Sequence, residues 1–167
     1  MPLPSPTEAQ ASDEAAWLWD RYRWLAWHRW LAVLGVTAAV LAGWWLDLVA
    51  RVSSLLGMAA TMALYNLAFQ ALRRRHPSPP APARIRGLLF LQLSFDLVTL
   101  GLLVHLAGGI QNPASMFFAF PLALGAILLS LRGALTLCLL ATALTALLSQ
   151  LELRGVLPHH ALLPEGL

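Results

Sequence analysis

The sequence predicts an all-α integral membrane protein, a polytopic bundle of about five transmembrane helices, and three observations predict it. Apolar residues make up 59% of the chain and charged residues 11%, with a mean hydropathy of +0.68, whereas soluble domains carry about 25% charged residues. The apolar residues gather into runs of the ~20 residues that a helix needs to cross a hydrocarbon core, at a rise of ~1.5 Å per residue. The arginines cluster at the ends of these runs, where they set topology and meet anionic lipid. The 167 residues then divide into an N-terminal cytoplasmic tail with an interfacial collar (1–24), a helical membrane domain (25–153) and an extracytoplasmic tail (154–167).

Met1–Ala16 contains Pro, Glu and Asp, and lacks the basic start and short apolar core of a secretory signal. A disordered tail is the expectation there. Asp20-Arg21-Tyr22-Arg23-Trp24 forms a polar and aromatic collar suited to the interface. The first span covers about 27–48. All seven Trp residues lie in or beside it, and Trp27 and Trp45 stand ~27 Å apart along a helix, matching the aromatic belts of a bilayer. Gly35, Ala39 and Gly43 recur every four residues on this span, as Gly57 and Thr61 do on the second span, about 52–72. Such spacing lets neighbouring backbones approach closely. Arg73-Arg74-Arg75-His76 then leads into Pro77-Ser78-Pro79-Pro80-Ala81-Pro82, a basic stop followed by a spacer of extended polyproline conformation. The third span covers about 88–107, the fourth 113–131 and the fifth 134–153. Pro121 falls within the fourth, where it is expected to kink the helix and free the Phe117 carbonyl. On the fifth, Cys138, Thr142, Thr145 and Ser149 share one face as a small polar seam. Cys138 is the only cysteine, which excludes a disulfide within the chain.

If the spans alternate, Arg21, Arg23, Arg29, Arg73, Arg74, Arg75, Arg84, Arg86 and Arg132 share one side, and only Arg51 and Arg154 face the other. The positive-inside rule then puts the N-terminus in the cytoplasm. The turn at Gly108 to Pro113 and the C-terminal tail lie outside in that arrangement.

Asp96 stands near mid-membrane in the third span, where a carboxylate costs ~2.5–3.5 kcal/mol on insertion scales and so faces the bundle interior. Gln92 and Thr99 fall on the same side, one turn either way, and can hydrogen-bond the acid or a bound headgroup. An interhelical hydrogen bond without a ligand explains the same residues. His105 lies nine residues on, on the opposite face of a straight helix and at the outer interface.

Gly108-Gly109-Ile110-Gln111-Asn112-Pro113 separates the third and fourth runs. A diglycine releases the chain from helix, and Asn-Pro restarts one with an N-cap side chain and the residue best tolerated at the first helical position. This hexapeptide resembles the GGxxNPF loop of the RegB/PrrB-type sensor histidine kinases. Arg29-Trp30-Leu31 at the entry to the first span, Phe95-Asp96-Leu97 in the third and Leu157-Pro158-His159-His160 after the fifth extend the likeness to their sensory domain. The family's Phe is Ala114 here, and Phe117 and Phe118 supply aromatic surface from the next turn. The resemblance implies ubiquinone or another quinone as ligand and no required cofactor. Gly108, Gly109, Asn112 and Pro113 carry over from the loop, with Phe117 and Phe118 beside them. It also implies a bacterial cytoplasmic (inner) membrane location and a homodimer in the parent kinase. A response regulator would be reached only through a sixth span and a kinase core that these residues lack.

Within the chain there is no phosphate loop with Lys, no HExxH, no paired Cys motif and no kinase core. The residues themselves are therefore expected to have no enzymatic activity, including autophosphorylation. The basic pI reflects membrane topology, and no nucleic-acid partner is expected. Adjacent His159 and His160 are poorly spaced for joint zinc ligation. Two functions remain in view: the signal-input domain of a sensor kinase, and a stand-alone structural or accessory subunit of a larger membrane complex.

Overall fold

A computed structural model describes residues 6–47, 49, 51–76, 78–108 and 113–154. The described residues form α1 (Pro6–Trp45), α2 (Val52–Arg74), α3 (Pro82–Leu106), a 3-10 helix (Pro113–Phe118), α4 (Ala119–Leu128) and α5 (Leu131–Leu153), with no strand among them. The chain is thus an all-α polytopic bundle. Helices α1, α2, α3 and α5 are long and apolar enough to cross a membrane, and Ala114–Leu128 is a shorter apolar run.

Helix α3 is central and touches all the other elements. Its neighbours are fixed by named contacts. Tyr22 Oη donates to the Phe69 carbonyl at 3.1 Å, tying α1 antiparallel to α2. Glu14 pairs with Arg86, and Arg29 with Asp96, so α1 runs parallel to α3. Gly101 of α3 accepts the close approach of Leu144, and His105 pairs with Glu152, so α3 and α5 are also parallel. The core joins Ala15, Leu18, Trp19, Tyr22 and Leu25 to Ile85, Leu89, Leu93 and Leu97, with Leu128, Leu137 and Ala141 closing the far side.

Four expectations change. The N-terminal segment is helical from Pro6 rather than a disordered tail, because Ala15, Leu18 and Tyr22 repeat at three- and four-residue spacing and bury against α3. At ~1.5 Å per residue α1 is ~60 Å long, about twice the hydrocarbon core. The fourth segment is not one kinked helix. Pro121 sits in the first turn of α4, where its missing N–H costs no helical bond. Six residues of 3-10 helix and ten of α-helix rise ~12 and ~15 Å, so this short run still approaches the membrane thickness. Leu129 and Ser130 are extended, and the Ser130 side chain caps α5 by accepting from Gly133 N at 3.4 Å.

The small-residue stripes also differ. A side chain added at Gly35 or Gly57 would meet nothing within 4 Å, and Ala39 and Thr61 are exposed. Gly43 is closely approached, but by the Val49 side chain just past α1, an added Cβ lying 2.5 Å from it, whereas between helices close approach occurs at Gly101 and Gly125, where an added Cβ would lie 2.7 and 2.6 Å from Leu144 and Leu137. The polar seam on α5 is split: Cys138 and Thr142 face outward, while Thr145 and Ser149 turn toward α3.

Candidate functional site

Among the described residues two polar centres lie inside this apolar bundle. The first joins three helices at mid-height. On α1 the packing seam Leu18, Tyr22, Leu25 continues to Arg29 at the same spacing, so the helix that buries those apolar residues also buries the guanidinium, which is 5% exposed. It meets Asp96 of α3, whose side chain is 21% exposed. Arg29 Nε and Nη2 donate to Asp96 Oδ2 at 3.1 and 2.6 Å. Tyr65 of α2 donates its hydroxyl to Asp96 Oδ1 at 2.8 Å. The Arg29 guanidinium also lies 5.8 Å from the ring centres of Tyr65 and Phe69, within cation–π range. Phe95 completes this aromatic wall, 5.7 Å from Tyr65 and 6.0 Å from Phe69.

Gln92 and Asn66 flank this layer, both fully buried. Their amide atoms and Arg29 Nη1 have no hydrogen-bond partner among the described residues. Such atoms cost ~1–3 kcal/mol each when left unsatisfied. The expected polar stripe on α3 is therefore only partly realised. Asp96 takes its partners from α1 and α2, not from its own helix. Thr99 donates to its own helix at Phe95 O, 2.7 Å away.

The second centre lies at the far end of α3. His105 Nδ1 and Glu152 Oε1 approach to 2.6 Å, both largely shielded, at 8% and 12% exposure. Gly101, Val104, Phe118, Thr145 and Ser149 surround them. The cleft between them, partly open at the surface, has about 20 Å³ of space, room for a water and no more. His105 is thus buried between helices and paired with Glu152. Just beyond it α3 ends at Leu106, and Gly108, two residues on, has a φ of 113°, a left-handed value that favours glycine.

The loop residues expected to bind a ligand are only partly brought together. Gly109 and Asn112 lie outside the described residues, and Pro113 opens the 3-10 helix. Phe118 joins the His105 cleft, while Phe117 points outward at 62% exposure. Among the described residues no group of three His, Cys, Asp or Glu side chains is placed to hold a metal ion.

Sequence reasoning passed over Arg29, Tyr65, Asn66 and Glu152 as site residues. The signal for Arg29 was present: it occupies the next position of the buried seam on α1. Tyr65 and Asn66 stand as adjacent polar residues within an apolar run, and Glu152 as an acid in the last turn of another.

No protein-family model, curated protein or solved structure matches the chain. The class of protein is therefore set by fold and site alone: a helical membrane bundle with two interior polar centres.

Proposed function

We propose that this chain is the membrane-embedded signal-input domain of a two-component sensor histidine kinase of RegB/PrrB type, responding to a quinone. The observation that supports this reading is the placement of the His105–Glu152 pair, in an apolar cleft with Phe118, three residues before Gly108, where the Gly-Gly-x-x-Asn-Pro sequence begins. A quinone carbonyl accepts hydrogen bonds, whereas a quinol hydroxyl also donates one. A cleft holding an imidazole and a carboxylate distinguishes the two forms by that difference. The space beside His105, about 20 Å³, does not hold a ring, so a headgroup enters only when the ends of α3 and α5 separate. A ligand that favours the separated arrangement shifts the population toward it. The Arg29–Asp96–Tyr65 layer then couples α3 to α1 and α2, and a kinase core would read the change from the cytoplasmic side of a bacterial inner membrane, as a homodimer signalling to a response regulator.

Titration of a short-chain ubiquinone against the purified chain tests this. Asn112→Ala and Gly109→Val should weaken binding roughly tenfold, the loss of one to two hydrogen bonds, and His105→Phe should weaken it further while helix content is kept. Equal affinity in all variants, or no binding by any, sinks the quinone reading. A second reading, an accessory subunit of a larger membrane complex, draws on the outward-facing Gly35, Ala39, Gly57 and Thr61, which suit close packing against another membrane helix. Under it the loop substitutions alter thermal stability alone.

A further inference from the structure

A shallow groove of about 200 Å³ opens on the outer surface of the bundle between α2 and α3, lined by Tyr65, Ala68, Phe69, Leu72 and Phe95. Its floor on α2 follows one helix face, at positions 65, 69 and 72, and His76 lies two residues past the end of that helix. On α3 the matching face runs back from Phe95 through Leu91 and Leu88 to Arg84. The two faces converge where they end. Arg84 Nη2 lies 3.4 Å from His76 Nε2.

That end of the bundle is densely basic. Arg73 and Arg74 fill the last turn of α2 and Arg75 caps it. Arg73, Arg74, Arg75 and Arg84 form no ion pair among the described residues, and the nearby Glu14 is already engaged by Arg86. These guanidinium groups lie at one end of the bundle with no acid paired to them among the described residues, and guanidinium is well matched to phosphate oxygens. From Arg84 to Phe95 is eleven residues, ~16 Å along a helix, or about half of a ~30 Å hydrocarbon core. Groove and basic corner therefore share the dimensions of one leaflet.

We propose that the α2–α3 groove and the Arg73–Arg75/Arg84 corner together form a binding site for an anionic phospholipid, the phosphate held by the arginines and one acyl chain lying along the groove as far as Tyr65. The chain's end then abuts the tyrosine whose hydroxyl supports Asp96, so lipid occupancy bears on the interior ion pair. The site is independent of the quinone reading, being at the opposite end of α3 from His105.

Native mass spectrometry of the full chain in detergent, with dioleoyl phosphatidylglycerol, cardiolipin or dioleoyl phosphatidylcholine added, tests the proposal. The wild type should retain the anionic lipids in preference to phosphatidylcholine, and less so as salt rises. R74Q/R75Q/R84Q should lose roughly fivefold in affinity per arginine removed, whereas R51Q, at the other end of α2, should lose nothing. A68F fills the groove without changing charge and should also weaken lipid retention. Should the triple variant fail to fold by circular dichroism, the A68F result and the salt dependence of the wild type decide. Equal retention of phosphatidylcholine, no effect of A68F, or competition by inorganic phosphate as effective as by the lipid would each overturn the proposal, the last by showing a soluble-anion site.

Discussion

Removing the Asp96 carboxylate should be among the most costly single changes in this chain, and the cost can be worked from the contacts. Asp96 accepts two hydrogen bonds from Arg29 and one from Tyr65. Arg29 is 5% exposed and its Nη1 already lacks a partner, so Asp96→Ala leaves an uncompensated charge inside the bundle. Breaking a buried pair in this way costs ~3–5 kcal/mol. The 21% exposure of Asp96 admits some solvent screening and puts the expectation near the lower figure. Tyr65→Phe removes one hydrogen bond to a charged group and should cost ~1.5–3 kcal/mol. The double change R29M/D96L removes both charges and keeps apolar volume, so it should fall within ~1 kcal/mol of wild type or exceed it. Reversible unfolding in mixed micelles, followed by circular dichroism, measures all three. If Asp96→Ala and R29M/D96L were equally destabilised, the loss would come from packing and the ion-pair argument would fail.

Cysteines placed at Ser78 and Asp47 in a C138A background should label from opposite membrane faces, with Ser78 on the cytoplasmic side; labelling of both from one side breaks the alternation of α1 and α2. Gly108→Ala should cost at least ~1 kcal/mol, because an L side chain is strained at φ 113°, whereas Gly57→Ala, which meets nothing within 4 Å, should stabilise by ~0.5–1 kcal/mol. The reverse order in thermal melts would refute the backbone assignment. Pro121→Ala should change stability by less than ~1 kcal/mol, since the residue lies in the first turn of α4; a gain of ~3 kcal/mol would place it in a helix interior after all.

Composition and run length by themselves determined that this chain is a helical membrane bundle, because the need to satisfy every backbone group in lipid leaves few other folds for such apolar runs. They also determined that Asp96 faces protein, since a carboxylate at that depth cannot face lipid cheaply. Its partners were decided by tertiary structure alone. Arg29 lies 67 residues away and Tyr65 31 residues away, and which residue meets Asp96 depends on the register of α1 against α3, set by Leu18, Tyr22 and Leu25 packing on Ile85, Leu89 and Leu93. Read along the chain, Arg29 resembles a flanking topogenic arginine, because an apolar run does not reveal that its helix begins at Pro6 and carries the arginine up to the level of Asp96. The same holds for His105, whose burial depends on where the separate helix α5 places Glu152. Local chemistry reports which groups need partners, while the packing of distant apolar seams determines which partners they receive.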